Sequence, residues 1–225
     1  QVKLSKILAF ALGPMASAAF GFITVPMVAW AFSAEDVGRL NILQITLSFC
    51  LLLTVLGLDQ AYVREFHGSP DHARLLKASF TPGFVLLVVI ALISIPFKAQ
   101  ISKLLYGAAE PTFYWITLAS VLVAFIARFF SLILRMQERG LAFSISQVIP
   151  KALFFIILGA IIICELQRNF ITLLSAFFTS SMAVVFVYIW YTRAQLRPAL
   201  AAQLDKKQVQ SLLQFGAPLI FSGLA

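Results

Sequence analysis

Two basic residues, Arg128 and Lys151, lie inside long apolar runs of the sequence. A cation within a membrane costs several kcal/mol unless it reaches the interface or faces a polar cavity. At the helical rise, Arg128 lies about 9 Å before the end of its run and Lys151 about 12 Å after the start of its run, and these two boundaries are on the same side of the membrane. An arginine fork and a lysine point charge suit the binding of a phosphate group. We predict that both line a cavity and bind an anionic substrate; the alternative is snorkelling, in which both side chains bend to the lipid headgroups.

A second charged group, Asp59, Arg64 and Glu65, follows directly on the uncharged stretch 40–58. As a helix this stretch is about 28 Å long, close to the thickness of a bilayer core. Asp59 and Arg64 do not have i, i+4 spacing, so they need not pair within one helix. The three residues are candidates for a cytoplasmic gate, and a plain interfacial charge cluster is the alternative.

No motif for catalysis or metal binding occurs in the sequence. It contains no glycine-rich phosphate loop, no HExxH and no CxxC. His67 and His72 stand in a polar connection, and Cys50 and Cys164 have no metal-ligand spacing. We predict no catalytic residue, no metal site and no cofactor, and therefore a protein that is not an enzyme.

The composition determines which elements hold these residues. Of 225 residues, 61% are hydrophobic and 12% are charged, whereas a soluble domain has roughly 25% charged residues. In lipid the backbone must satisfy its own hydrogen bonds, which leaves helices or closed barrels. The apolar runs are continuous and about twice the length of a barrel strand. We therefore predict an all-α, polytopic transmembrane helical bundle.

Six complete spans and the start of a seventh are predicted. The complete spans are 7–32, 40–58, 78–97, 114–134, 143–164 and 170–191, and a further apolar run starts near Leu212. The predicted division is a six-helix N-terminal lobe over 1–192, a cytoplasmic linker over 193–210 and the start of a second lobe over 211–225. The chain begins at Gln1 and ends inside an apolar run, so we expect a piece of a longer protein.

The distribution of Lys and Arg predicts the orientation of the spans. Eleven of the 17 lie before span one or in the connections on its side of the membrane, namely Lys3, Lys6, Arg64, Arg74, Lys77, Arg135, Arg139, Arg193, Arg197, Lys206 and Lys207. The other side holds four: Arg39, Lys98, Lys103 and Arg168. The positive-inside rule then places the N-terminus in the cytoplasm. This distribution accounts for the net charge of +8 without a nucleic-acid partner.

The first span contains Gly13, Pro14 and Pro26. Each proline removes one backbone hydrogen bond of the helix. Gly13, Ser17 and Gly21 form a stripe of small residues at spacing four, which lets another helix approach closely. Plain packing is one interpretation; the other is a hinge at Gly13, Pro14 and Pro26 that bends during a transport cycle.

An internal repeat is indicated by the start of the seventh run. Residues 214–219 resemble residues 10–15, because each segment has a small residue before a proline in an apolar run. Six spans separate the two segments, so both run in the same direction across the membrane. This arrangement is typical of parallel repeats of six-helix lobes, and coincidence is the alternative.

Three segments resemble a known family. They are residues 32–39 (FSAEDVGR) after a proline-containing first span, residues 57–66 with Gly57-Leu58-Asp59-Gln60-Ala61 and Arg64-Glu65-Phe66, and the small-residue–proline element of the seventh run. On these segments the chain resembles the Wzx-like polysaccharide and O-antigen flippases. Their superfamily also holds the MATE exporters and the lipid II flippases.

The resemblance implies roughly 12 to 14 helices in two lobes around a central cavity. It implies a multi-pass protein of a bacterial cytoplasmic (inner) membrane that flips a polyprenyl-pyrophosphate-linked oligosaccharide to the outer leaflet. Such a lipid supplies surface polysaccharide such as lipopolysaccharide O-antigen or capsule. The implied partners are this substrate, membrane lipid and other polysaccharide-assembly proteins, with alternating access and no ATP hydrolysis by the protein itself.

Two other functions are alternatives. A cation-coupled multidrug exporter of the MATE type usually needs a carboxylate within the membrane, whereas every Asp and Glu here lies at a predicted span end or in a connection. A membrane-embedded polysaccharide polymerase is expected to carry a large outward loop with catalytic Arg, His or Asp. The longest outward connection, 97–113, has one Glu and no His.

Overall fold

Nine α-helices make up nearly all of the part of the chain that the structure describes. The structure is a computed structural model that describes the backbone of residues 4–224 and the side chains of residues 10–216 and 218. The helices are α1 (Leu4–Ala31), α2 (Ala34–Val55), α3 (Leu58–Phe66), α4 (His72–Ser94), α5 (Lys98–Tyr106), α6 (Pro111–Met136), α7 (Gly140–Ile163), α8 (Phe170–Ala201) and α9 (Lys206–Leu224), with a 3-10 turn at Ile95–Phe97. No strand occurs within residues 4–224. The predicted all-α class is therefore confirmed.

Six candidate membrane spans lie within the described residues. They are α1, α2, α4 continued through α5, α6, α7 and α8, each long and apolar enough to cross a bilayer. The six predicted spans correspond to these helices. Three boundaries differ from the prediction by six residues or more, because a helix can continue into a charged segment outside the membrane. α4 begins at His72, six residues before the predicted span. α2 begins six residues before the uncharged stretch, and α8 continues through Arg193 and Arg197 to Ala201.

A serine caps the start of α2. The Ser33 side chain accepts a hydrogen bond from the Asp36 amide at 3.2 Å, which satisfies one of the unpaired donors of the first turn. The helix ends at Leu56, which has a left-handed conformation with φ of 55°. Gly57 is also left-handed, with φ of 67°. This sharp turn separates α2 from the short helix α3.

α6 lies at the centre of the bundle. It packs against α2, α3, α4, α5, α7 and α8. Its side chains Phe125, Phe129 and Leu134 are fully buried. α1 lies at the periphery and packs mainly on α7. α9 packs against α3 and α4, so the predicted start of the second lobe contacts the first lobe at its α3 corner.

The two ends of the bundle differ in charge. We call the end that carries residues 56–71, 137–139 and 202–205 the basic end. There the Lys77 ammonium donates to the carbonyls of Leu200 and Ala202 at 2.9 and 2.7 Å. At the far end Arg39 pairs with Glu35 at 2.6 Å. Of the Lys and Arg residues predicted on this side, Arg64 and Arg139 lie in these segments, and the helix turns next to them carry Arg74, Lys77, Arg135, Lys206 and Lys207.

A close contact between α1 and α7 involves the first glycine of the predicted stripe. The Gly13 amide donates to Ser144 Oγ at 3.0 Å. A Cβ placed on Gly13 would lie 2.5 Å from Ser144 Cα, whereas a Cβ on Gly21 meets nothing within 4 Å. Gly13 is therefore required for the approach of the two helices, and Gly21 is not.

We predict that Gly13→Ala destabilises the protein by about 1–3 kcal/mol, because the added methyl group overpacks a backbone contact. Gly21→Ala is the matched control on the same helix. It should be neutral or stabilise by up to about 1 kcal/mol through helix propensity. Thermal unfolding of both purified variants in detergent measures the difference. Equal melting temperatures for the two would show that α1 does not pack on α7 at Gly13.

Candidate functional site

The short helix α3 positions the charged group that follows α2. Asp59 lies in its first turn and is 6% exposed. A carboxylate in this place interacts favourably with the amide groups of the helix N-terminus. Its Oδ1 accepts a hydrogen bond from the Gln60 amide at 2.9 Å. Asp59 is thus a buried carboxylate with one oxygen bound by the backbone of its own helix.

The second oxygen of Asp59 binds Arg128. Arg128 Nε and Nη2 donate to Asp59 Oδ2 at 3.0 and 2.5 Å. The pair joins α3 to α6 across 69 positions of the sequence. The sequence analysis grouped Arg128 with Lys151 as cavity cations and Asp59 with Arg64 and Glu65 as a gate. It did not predict the pair, because spacing along one helix does not identify a partner on another helix.

The Arg128 side chain has capacity for a second anion. It is 50% exposed, and only Nε and Nη2 donate to a described residue. A guanidinium has five donors in a rigid fork, so the edge that carries Nη1 remains available. Charge-assisted bonds from such an edge to phosphate are strong and frequently bidentate. Arg128 is therefore held by Asp59 on one side and can bind a phosphate group on the other.

The side chains of the three predicted gate residues form no ion pair with one another, and Asp59 and Arg64 each contact a different helix. The Arg64 guanidinium lies 4.3 Å above the ring of Phe215 on α9, a cation–π contact. The Glu65 backbone carbonyl accepts hydrogen bonds from the amides of Gly68 and Ser69. No ion pair joins Asp59, Arg64 and Glu65 to each other, and all three lie in the described part of the chain.

Two glycines bring α3 and α9 into backbone contact. A Cβ on Gly57 would collide with the carbonyl oxygen of Gly216, and a Cβ on Gly216 would lie 2.5 Å from the carbonyl oxygen of Leu56. Sequence reasoning singled out Gly57 and Gly216 in separate motifs. The structure brings the two motifs together, and only glycine at both positions permits this approach.

Aromatic residues of α3 complete this corner of the bundle. Tyr62 is buried, and burial raises the pKa of its hydroxyl to about 12. It is therefore neutral at physiological pH. The Phe66 ring stacks on His72 with centroids 4.2 Å apart.

Within the described residues no group of three or more His, Cys, Asp or Glu is arranged to hold a metal.

Lys151 lies on α7 with an exposed side chain. It makes no hydrogen bond or ion pair with any residue whose side chain the structure describes. It is seven residues after Ser144 and four before Phe155, so helical periodicity places all three on one face. That face contacts α1, since Ser144 bonds Gly13 and the Phe155 ring lies 6.0 Å from the Phe20 ring. The helices that carry Arg128 and Lys151, α6 and α7, are in contact. No described residue bonds both side chains.

Comparison with models of known protein families identifies a family for this chain. A family model described as "Polysaccharide biosynthesis protein" matches residues 4–225, nearly the whole chain. A search of curated proteins found no match, and neither did a search of solved structures.

Proposed function

The chain belongs to the polysaccharide biosynthesis protein family, the family of Wzx-like, MATE-related polysaccharide flippases, and from this premise we propose that it flips a polyprenyl-pyrophosphate-linked oligosaccharide across the cytoplasmic membrane. The observation that carries the proposal is the Arg128–Asp59 pair. It keeps a half-exposed guanidinium inside a span with one edge available. Asp59 occupies one edge of this guanidinium, and the exposed edge suits a pyrophosphate.

Loading occurs from the basic end, which the positive-inside rule assigns to the cytoplasm. The pyrophosphate binds the available edge of Arg128 while Asp59 holds the other edge. Lys151, which has no bond to a described residue, supplies the second positive charge from α7. An oligosaccharide then passes between the lobes while the prenyl chain stays in the hydrocarbon.

The contact of α3 with α9 acts as the gate at this end. α9 is the first helix of the predicted second lobe. Separation of Gly57 from Gly216 and of Arg64 from Phe215 would therefore move the two lobes apart at this end. The Asp59–Arg128 pair links this gate to the phosphate site, because α3 carries both Asp59 and Arg64. Glu65 lies in the last turn of the same helix.

Movement of α1 accompanies the opening of the gate. Gly13, Pro14 and Pro26 serve as its hinge, since the Gly13 amide bonds Ser144 on α7 and both prolines lie inside the helix. Bending at a proline costs little because the backbone hydrogen bond is already absent. The buried carboxylate Asp59 already has a cationic partner, which disfavours its use as the coupling site of a MATE-type drug exporter.

The test is lipid flipping by the reconstituted full chain. In proteoliposomes without ATP, we expect a fluorescent polyprenyl-pyrophosphate oligosaccharide to cross the bilayer much faster than in empty vesicles. In an Arg64→Cys/Phe215→Cys variant, a short thiol crosslinker should stop flipping, since α3 can no longer leave α9. Reduction of a cleavable crosslinker should restore the rate.

A crosslink inside one lobe is the matched control. Phe154 on α7 and Phe177 on α8 are in ring contact, with centroids 6.0 Å apart, so a Phe154→Cys/Phe177→Cys crosslink should leave flipping unchanged. Failure of the wild-type protein to flip the lipid would refute the proposed function. Flipping that persists through the α3–α9 crosslink would refute the gate alone.

A further inference from the structure

An apolar cavity of about 290 Å³ lies between α2, α4, α5 and α6, toward the far end of the bundle. Its lining includes Phe49, Cys50, Ile90, Leu118 and Val121. The volume is about twice that of a cavity known to admit a benzene ring, which is roughly 150 Å³. It can therefore hold a substantial length of hydrocarbon chain.

The cavity is a consequence of how α2 and α4 cross. A Cβ on Gly83 of α4 would collide with the Thr54 carbonyl oxygen of α2, so the two helices are in backbone contact near the basic end. The two helices run in opposite directions, and the cavity lies between them on the far-end side of this contact. The packing of α5 and α6 closes the back of the wedge. Gly83 thus determines where the opening begins.

The lining is hydrocarbon even where the residues are polar. Each hydroxyl among the lining residues bonds a protein acceptor or another hydroxyl: Thr46 to Ile42 O at 2.8 Å, Thr54 to Cys50 O at 2.7 Å, Ser94 to Tyr114 Oη at 2.7 Å and Thr117 to Tyr106 Oη at 2.7 Å. A water molecule needs two to four polar partners to be stable in a cavity. This cavity offers no such set, so it favours a hydrocarbon chain over water.

We propose that this cavity seats the hydrocarbon chain of the transported lipid. The inference rests on the proposed function, because the position of the phosphate supplies the direction of the chain. Val121 precedes Arg128 by seven residues on α6, a separation of about 10 Å along the helix. α6 runs from the far end to the basic end, so a lipid with its phosphate at Arg128 has its chain directed toward Val121. The buried Phe125 and the contact of Gly83 with Thr54 lie between Arg128 and the cavity, so the chain enters the cavity when this contact opens.

Cys50 provides a native reporter of occupancy, since its side chain lines the cavity. Cys164 is exposed and would be replaced in a Cys164→Ser background. In nanodiscs holding the full chain, a membrane-soluble maleimide should alkylate Cys50. We expect a polyprenyl monophosphate to slow alkylation by about threefold when present at twice its dissociation constant. A diacyl phosphatidylglycerol at the same concentration should have no effect.

A pair of isoleucines on α4 gives the matched variants. Both side chains are exposed, but Ile90 lines the cavity and Ile93, one turn further along, does not. Ile90→Trp should fill the cavity, slow Cys50 alkylation and raise the lipid concentration needed for half-maximal flipping by about tenfold, equivalent to about 1.4 kcal/mol of binding. Ile93→Trp should change neither measurement.

The outcomes separate this inference from the proposed function. The cavity assignment would be overturned if phosphatidylglycerol protects Cys50 as well as the polyprenyl lipid does, or if the polyprenyl lipid gives no protection. Either result would count even if the protein flips lipid normally. Normal flipping by Ile90→Trp would overturn it as well. Protection by the polyprenyl lipid in a wild-type protein that flips nothing would support the cavity and refute the proposed transport.

Discussion

Replacement of Arg128 by Met should be among the most damaging substitutions in this protein. The change leaves the Asp59 carboxylate, which is 6% exposed, without its cationic partner. Removal of one partner of a fully buried ion pair costs about 3–5 kcal/mol, because the remaining charge is uncompensated; since Arg128 is half exposed, the lower end of this range, about 3 kcal/mol, applies here. We expect a loss of about this size in the free energy of unfolding, measured by denaturation in detergent, and a strongly reduced amount of folded protein.

A double-mutant cycle separates stability from transport. Asp59→Asn removes the charge that Arg128 balances, and the pair Asp59→Asn/Arg128→Met removes both charges. The double variant should regain most of the lost stability, because no buried charge stays unpaired. It should still fail to flip the lipid, since the proposed phosphate ligand is absent. Normal flipping by the double variant would assign Arg128 to structure alone.

Lys151→Glu should abolish transport without affecting folding. Lys151 is exposed and bonds no described residue, so its replacement leaves no partner unsatisfied. The loss of a charge-assisted bond to phosphate, worth up to about 3 kcal/mol, corresponds to a decrease in flipping of about a hundredfold. The measurement is the flipping rate of the purified variant at equal protein level.

Two variants are controls for this result. Lys151→Arg retains the charge at the same position and should retain flipping. Lys103→Glu makes the same reversal on α5 at the far end, where Lys103 is also exposed, and should have no effect. If Lys151→Glu flips lipid at the wild-type rate, Lys151 snorkels to the headgroups and has no part in binding.

Prediction from the sequence succeeded where a local property decides the structure. The spans follow from the length and continuity of the apolar runs, since a chain in lipid must satisfy its backbone within each helix. The extension of α8 to Ala201 was missed, because the end of an apolar run marks the membrane boundary and not the end of the helix.

The candidate site could be predicted only in part. Asp59 and Arg128 each stood out as a charged residue at or inside a span, and both are in the site. Their pairing did not follow from the sequence, because the crossing of α3 and α6 determines it. The contact of Gly57 with Gly216 likewise joins two segments that are distant in the chain.

By itself, the sequence determined that this protein is a helical membrane bundle with one strongly basic end, because hydrophobicity and charge act on each segment separately. Only the tertiary structure decided which cation has a partner, which glycines touch and where α2 and α4 separate to leave a cavity. These features depend on how the ridges of one helix fit the surface of another. In lipid small residues and close contacts govern that fit, and hydrophobicity does not distinguish one helix face from another.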